Sequence, residues 1–321
     1  LAIKTPIGLV FHSGDFKFDF HPVGEQRSDP ALITKLASKK TLLLLADSTG
    51  AENPGFSVSE KVIYQNLERI FEKAQGRIIA ATFASLISRI QQLIWLAEKF
   101  GRYVVVDGLS MKTNIEVCRK LGYLRIKKGV LISPKESLRM PPEKVLIICT
   151  GSQAEDQAVL QRIATKEHKY FQIEPGDTVI FSSSVIPGNE RSVQNLKDSL
   201  CRQGAKVFHY QMMDIHASGH ACQEDLKLLI SLVQPKFFIP IHGQYSMLQA
   251  NTELAKEMGV LKENTIIPTN GNIVELTPNS IRISKEKLDA FYVMVDGSVS
   301  YTHLRAHETR HDLVCRLLLE K

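Results

Sequence analysis

The chain has 321 residues, enough for two ordinary domains or one large one, with 44% hydrophobic and 23% charged residues. That composition excludes disorder, collagen-like repeats and coiled coil, and the longest apolar runs (41–46 and 237–241) are too short for a membrane-spanning helix. Forty Lys and Arg against 34 Asp and Glu leave a charge of +6, which permits a polyanionic partner without requiring one. The five Cys, at 118, 149, 201, 222 and 315, form no Cys-x-x-Cys and suit a reducing, cytoplasmic setting.

Strands are expected at 7–12, 41–46, 77–81, 103–107, 144–149, 178–182, 206–209 and 236–241, runs rich in Val, Ile and Leu on both faces, as buried parallel strands are. Helical spacing fills the intervals. Ser57-Val-Ser-Glu60 reads as a capping box ahead of a helix running to Ala74, with Val62, Ile63, Leu67, Ile70 and Phe71 on one face. Further helices are expected at 86–100, 111–121, 153–164, 190–202, 222–233 and 244–258. Residues 124–143 lack periodicity, contain three Pro and read as an ordered loop. Strand–helix alternation of this kind predicts an α/β fold with largely parallel sheets.

Open α/β sheets bind ligands beyond the carboxyl ends of their strands. Those ends read Ser13-Gly-Asp15, Asp47-Ser-Thr49, Thr82, Asp107, Thr150-Gly-Ser152, Ser182-Ser-Ser184 and His242-Gly243. Neither Gly-x-Gly-x-x-Gly nor a Walker motif occurs, so a nucleotide site has no positive support. Asp15 suits either an Asx turn or a hard oxygen ligand for a divalent metal, and Asp19 a turn or an ion pair. His242 is either a core histidine or a metal ligand. Asp47 would orient a catalytic His or cap a turn, and Ser152 is an N-cap or a phosphate contact. The most informative stretch is His216-Ala217-Ser218-Gly219-His220. Two imidazoles frame Ser-Gly just before a helix expected from about Ala221, whose free amides would suit a phosphate oxyanion.

In this order, SGDFKFDFHPVGE, ADSTGAENPGFSVSE, RIIAATFAS, CTGSQAE, GDTVIFSSSVIPGNE, DIHASGHACQEDLK and PKFFIPIHGQYSM resemble the bacterial ribonuclease J family. These are metallo-β-lactamase nucleases with a β-CASP insertion, and the likeness covers residues 1–298. It implies an α/β fold in which a partial metallo-β-lactamase αββα sandwich carries an inserted β-CASP domain. The sandwich would take 1–58 and 222–298, and the insertion 59–221. It implies Asp15 and His242 as metal ligands, Asp47 and His220 as the proton-transfer pair, and His216, Ala217, Ser218, Gly219, His220 and Ser152 as phosphate contacts.

The implied cofactor is a pair of divalent ions, zinc with manganese or magnesium as alternatives, activating water. The implied substrate is RNA, a single strand with a 5′-monophosphate, cut endonucleolytically and 5′→3′ during RNA processing and decay. A homo-oligomer or a paralogue partner is implied, and no membrane. The family's His-x-His-x-Asp-His motif belongs before Leu1, so the chain alone is expected to be inactive.

Some positions depart from the pattern. Gln244 and Ser246 stand where Glu and Arg are usual, Gly50 where Asn is common, and Ala154-Glu-Asp156 where the family has Gly-Glu-Pro. His303, His307 and His311 would stack on one helical face, but 299–321 resembles translated sequencing-adapter read-through and is set aside. Two rival readings are a non-catalytic RNA-binding partner subunit and a small-molecule hydrolase of metallo-β-lactamase fold. The phosphate-suited His216–His220 stretch weighs against the second. A third is a nucleotide-binding α/β module.

Overall fold

The computed structural model describes residues 1–37 and 40–290. The histidines at 303, 307 and 311, with the whole of 299–321, lie outside the described residues. Among the described residues the chain divides into two compact units, the first made of 1–22, 26–60 and 217–290, the second chiefly of 61–216.

The chain opens with β1 (Ala2–Thr5), β2 (Gly8–His12), α1 (Pro30–Ala37) and β3 (Thr41–Asp47). The second unit follows as α2 (Glu60–Lys73), β4 (Ile78–Ala81), α3 (Ile87–Lys99), β5 (Tyr103–Asp107), α4 (Leu109–Lys120), α5 (Pro134–Ser137), β6 (Val145–Cys149), α6 (Val159–Ala164), β7 (Thr178–Phe181), α7 (Glu190–Arg202) and β8 (Lys206–His209). The chain then returns through α8 (Gln223–Val233), β9 (Phe237–Ile241), α9 (Tyr245–Glu257), β10 (Asn272–Leu276) and β11 (Ile281–Lys287).

In the first unit the sheet order is β1-β2-β3-β9, antiparallel at β1–β2 and parallel beyond. Alternation splits the apolar run of β3 between two layers. Leu44 and Ala46 join Phe11 and Phe238 under Leu229, Ile230 and Val233 of α8 and Ala255 of α9. Leu43 and Leu45 face the other way, with Phe237, Ile239 and Ile241, against Ile281, Val274 and Leu276 of the β10–β11 hairpin.

The second unit is a five-stranded, all-parallel sheet ordered β5-β6-β4-β7-β8. Burial on both faces explains its near-continuous apolar strands. One face packs on Val159, Leu160 and Ile163 of α6 and Val193, Leu196 and Leu200 of α7. The chain leaves β4 toward β5 on one side, whereas β7 leads on to β8 on the other, so the connections diverge between β4 and β7. Thr82, Ser152 and Ser182 mark the carboxyl ends there, and a topological switch point of this kind favours ligands.

The expected strands are all present, with ends shifted by a residue at most. The helix expected at 153–164 begins only at Val159, because the Gln153 side chain holds Ser184 O (2.7 Å) and the Ile186 amide (2.8 Å) and Ala154 turns into the left-handed region at φ 59°. The Ser57–Glu60 capping box is a correction. The helix α2 starts at Glu60, whose amide donates to Asp19 Oδ2 (2.8 Å), while Ser57 is used elsewhere. Asp19, 41 residues upstream, is therefore the anion at that helix start. The 124–143 loop is ordered and encloses α5, which carries its own capping box from Ser133 and Glu136.

Candidate active site

Three parallel strands end side by side, and their ends are stitched together. Ser13 N donates to Leu45 O, Asp47 N to Ser13 Oγ, and Ser48 N to His242 O, at 3.0, 3.0 and 3.1 Å. Asp15, Asp47 and His242 are thus delivered to one place, and the loop before α8 adds His220. One ligand atom from each of these four lies within 4.8 Å of every other. Two donors each about 2 Å from one ion are at most about 4 Å apart, so the group needs some contraction to form a coordination shell. Carboxylate oxygen with imidazole nitrogen suits a borderline divalent cation such as zinc. Asp15 and His242 are the exposed members, while Asp47 is 1% exposed.

Asp47 organises the cluster. Its Oδ2 lies 2.7 Å from His220 Nδ1. Its Oδ1 accepts the Thr49 amide (3.0 Å) and the Thr49 hydroxyl (2.9 Å). Burial pushes the Asp47 carboxyl up, but the bonds from His220 and Thr49 outweigh it and hold the group below its ordinary range. An ionised carboxylate only accepts, so His220 carries its proton on Nδ1 and presents Nε2 to the site. The same bond raises the His220 pKa, against the opposing effect of burial.

The tautomer of His242 follows from Thr49. The single Thr49 proton goes to Asp47, so the 2.8 Å contact between Thr49 Oγ1 and His242 Nδ1 has His242 as donor. That leaves His242 Nε2 bare, as a metal ligand requires. His242 also sits at φ 54°, a left-handed conformation uncommon outside Gly, and its ring stacks on His220 at 5.2 Å.

Side chains behind the site hold its backbone. Asp225, fully buried on α8, accepts at Oδ2 from Ser57 N (2.8 Å), Ser57 Oγ (2.6 Å) and Cys222 N (3.0 Å), which fixes the turn following His220. Asn251, fully buried on α9, donates to Asp47 O (3.0 Å) and Ser48 Oγ (2.9 Å). Sequence reasoning missed Thr49, Ser57, Asp225 and Asn251 as site residues. The signals available were a hydroxyl two residues after Asp47, an acid at the third position of α8, and one Asn on the apolar face of α9.

The expected phosphate contacts divide between the units. Ala217, Ser218, Gly219 and His220 belong to the first; His216 and Ser152 belong to the second. Ser218 and Gly219 are exposed, and a Cβ on Gly219 would meet nothing. His216 packs edge-on to Phe83, and Ser152 is 3% exposed at the end of β6. The free helix amides expected here are not free. Cys222 N is held by Asp225, Gln223 N by Asn53 O and Glu224 N by Gly55 O, so any oxyanion grip rests on the loop itself. Two departures from the family pattern are placed too. Gly50 runs against Ala221 O, where a Cβ would collide, and Ala154 holds the left-handed turn a Gly would take without strain.

The family description "Ribonuclease J, beta-CASP domain" matches residues 75–200, and "Zn-dependent metallo-hydrolase RNA specificity domain" matches 207–268. Ribonuclease J 1 of Streptococcus pyogenes is 45% identical over 301 residues, 93% of this chain and 53% of the relative. The chain belongs to the ribonuclease J family. Ribonuclease J of Synechocystis is 43% identical across 88% of this chain and 44% of its own, and that of Thermus thermophilus 43% across 86% and 48%. The chain thus spans about half the length of the ribonucleases J it matches. Its fold is the α/β metallo-β-lactamase type with a β-CASP insertion. No helix among the described residues is long and apolar enough to cross a membrane.

Proposed function

We propose that the chain is part of a metal-dependent ribonuclease that hydrolyses RNA phosphodiesters, both internally and 5′→3′, in RNA processing and decay. The observation that carries this is the Asp47–His220 pair, hydrogen-bonded at 2.7 Å beside Asp15 and His242. The match to ribonucleases J supports it. Segments 1–58 and 222–298 are assigned to the metallo-β-lactamase domain and 59–221 to the β-CASP insertion.

Asp15 and His242 would hold metal, two ions in the whole enzyme, zinc or else manganese or magnesium. Bound there, such an ion would lower the pKa of water and polarise a phosphoryl oxygen. His220, its pKa raised, gives its Nε2 proton to the departing RNA oxygen, and Asp47 holds the ring in position and stabilises its charge. His216, Ala217, Ser218, Gly219 and His220, with Ser152, are assigned to phosphate. The substrate is a single strand with a 5′-monophosphate, the setting the cytoplasm, and the assembly a homo-oligomer or a complex with a paralogue.

A nuclease assay tests the reading. Asp15 and His242 are fewer than the three protein ligands usual for catalytic zinc, so the isolated 1–321 polypeptide is expected to cleave nothing with Zn²⁺ or Mn²⁺. In the full-length gene product, His220→Ala is expected to lower turnover on a 5′-monophosphorylated RNA by about 10²–10⁴-fold. Unchanged turnover would overturn the assignment.

A further inference from the structure

The positive balance of the chain is not spread evenly. Residues 112–144, all in the second unit, hold nine Lys and Arg against three Glu, an excess of six that equals the net charge of the whole chain. Every one of the nine is exposed. Lys112 is tied to Asp107, Lys120 to Glu116 and Lys127, at 3.6 Å, to Glu98, while Arg119, Arg125 and Lys128 make no ion pair among the described residues. Arg119, Lys127 and Lys128 line one shallow groove of about 310 Å³ with Ile126, Gly129 and Leu131. Tyr123 stands 73% exposed at the end of α4, beside the same run.

The backbone under these cations is anchored. Gln91, buried on α3, clasps Arg125 with both ends of its amide, accepting from Arg125 N (2.6 Å) and donating to Arg125 O (2.9 Å). Glu98 accepts Lys127 N at 2.9 Å. Gly129, at φ 85°, lets the chain turn onto the free edge of β5, where Val104 N donates to Val130 O and Ile132 N to Val104 O. The loop is therefore fixed by its main chain while Arg125, Lys127 and Lys128 project to solvent. A pre-ordered loop loses little conformational entropy when its side chains meet a ligand.

We infer that the groove between the end of α4 and the 125–130 loop binds the phosphate backbone of single-stranded RNA, with Tyr123 as a stacking platform, at a site separate from the Asp–His cluster of the first unit. Exposed cations on a fixed loop, Arg125 and Lys128 among them without an ion pair, suit a repeating anion, and an exposed aromatic ring beside them suits unstacked bases. This rests on reading the chain as an RNA-cleaving protein. It adds a second place on the chain where RNA is held.

The test is fluorescence anisotropy of a labelled 20-nucleotide single-stranded RNA with purified 1–321, without metal, over a range of salt. The combined variant Arg125→Gln/Lys127→Gln/Lys128→Gln is expected to bind at least tenfold more weakly. The slope of log affinity against log salt should fall by about 2, since each lost phosphate contact removes about 0.7. Tyr123→Ala is expected to weaken binding about fivefold or more without changing that slope. Lys285→Gln/Lys287→Gln, exposed cations of β11, should bind like the unaltered chain. Cleavage by full-length His220→Ala is a separate readout from this metal-free binding, so the two readings fail independently. The inference is overturned if the unaltered chain does not bind at 50 mM salt or the triple variant binds with unchanged slope. It is equally overturned if the variants lose polyglutamate binding but keep RNA.

Discussion

His220 Nδ1 lies 2.7 Å from Asp47 Oδ2, joining residues 173 positions apart. Asp47 is the buried partner and His220 the one that reaches solvent. Asp47→Asn removes the charge that raises the His220 pKa and allows the amide to favour the wrong tautomer. Turnover by the full-length enzyme is expected to fall about 10²–10⁴-fold with an unchanged circular dichroism spectrum. A rate within threefold of the parent would show that the pair is only structural.

Thr49 sets the His242 tautomer through hydrogen bonds of 2.8 and 2.9 Å. Thr49→Val keeps the shape and removes the relay. Zinc affinity of the full-length protein is expected to drop about 10–100-fold, measured by competition with a chromophoric chelator. Equal affinity would remove Thr49 from the site.

Asp225 gathers three donors at one carboxylate oxygen. Asp225→Ala strands Ser57 N, while Cys222 N keeps Ser57 Oγ at 3.2 Å, and one unsatisfied donor costs about 1–3 kcal/mol. Urea unfolding followed by circular dichroism should show a loss of about 1–3 kcal/mol. Ala154→Gly acts in the opposite direction. Relieving a left-handed Ala, less the extra flexibility of Gly in the unfolded chain, should stabilise by about 0.5–1 kcal/mol.

The second unit carries its own pH dependence. Burial lowers the pKa of His168, and the bond to Asp107 offsets this only in part; burial and then Lys197 lower that of His209. The unfolded chain therefore takes up these protons first as pH falls through about 6.5, which favours unfolding. Trp95, the single tryptophan, lies on α3 and reports this unit. Its fluorescence should give a lower urea midpoint at pH 5 than at pH 7. The double variant His168→Gln/His209→Gln should narrow the gap, and an unchanged gap would contradict the assignment.

Much of the fold was legible because buried parallel strands are apolar on both faces and stop abruptly at polar residues, as β3 stops at Asp47 and β9 at His242. The strand β1 and the pair β10–β11 escaped notice because their residues are mostly half-buried or exposed and include charges such as Lys4, Lys285 and Glu286. Ser57 misled because local spacing matched a capping box, while its partner Asp225 lies 168 residues away. The candidate site was readable as a set of strand ends. Its connections, Thr49 to His242 and Asn251 to Asp47, depend on chain crossings that spacing does not encode.

His220 is proposed to deliver a proton to the leaving oxygen. The direct measurement compares full-length enzyme and His220→Ala on two substrates, a 5′-monophosphorylated RNA and a nucleotide ester with a p-nitrophenolate leaving group, which departs without protonation. The expected deficit is about 10²–10⁴-fold on RNA and nearly vanishes on the activated ester. An equal deficit on both substrates, or none on RNA, would contradict it.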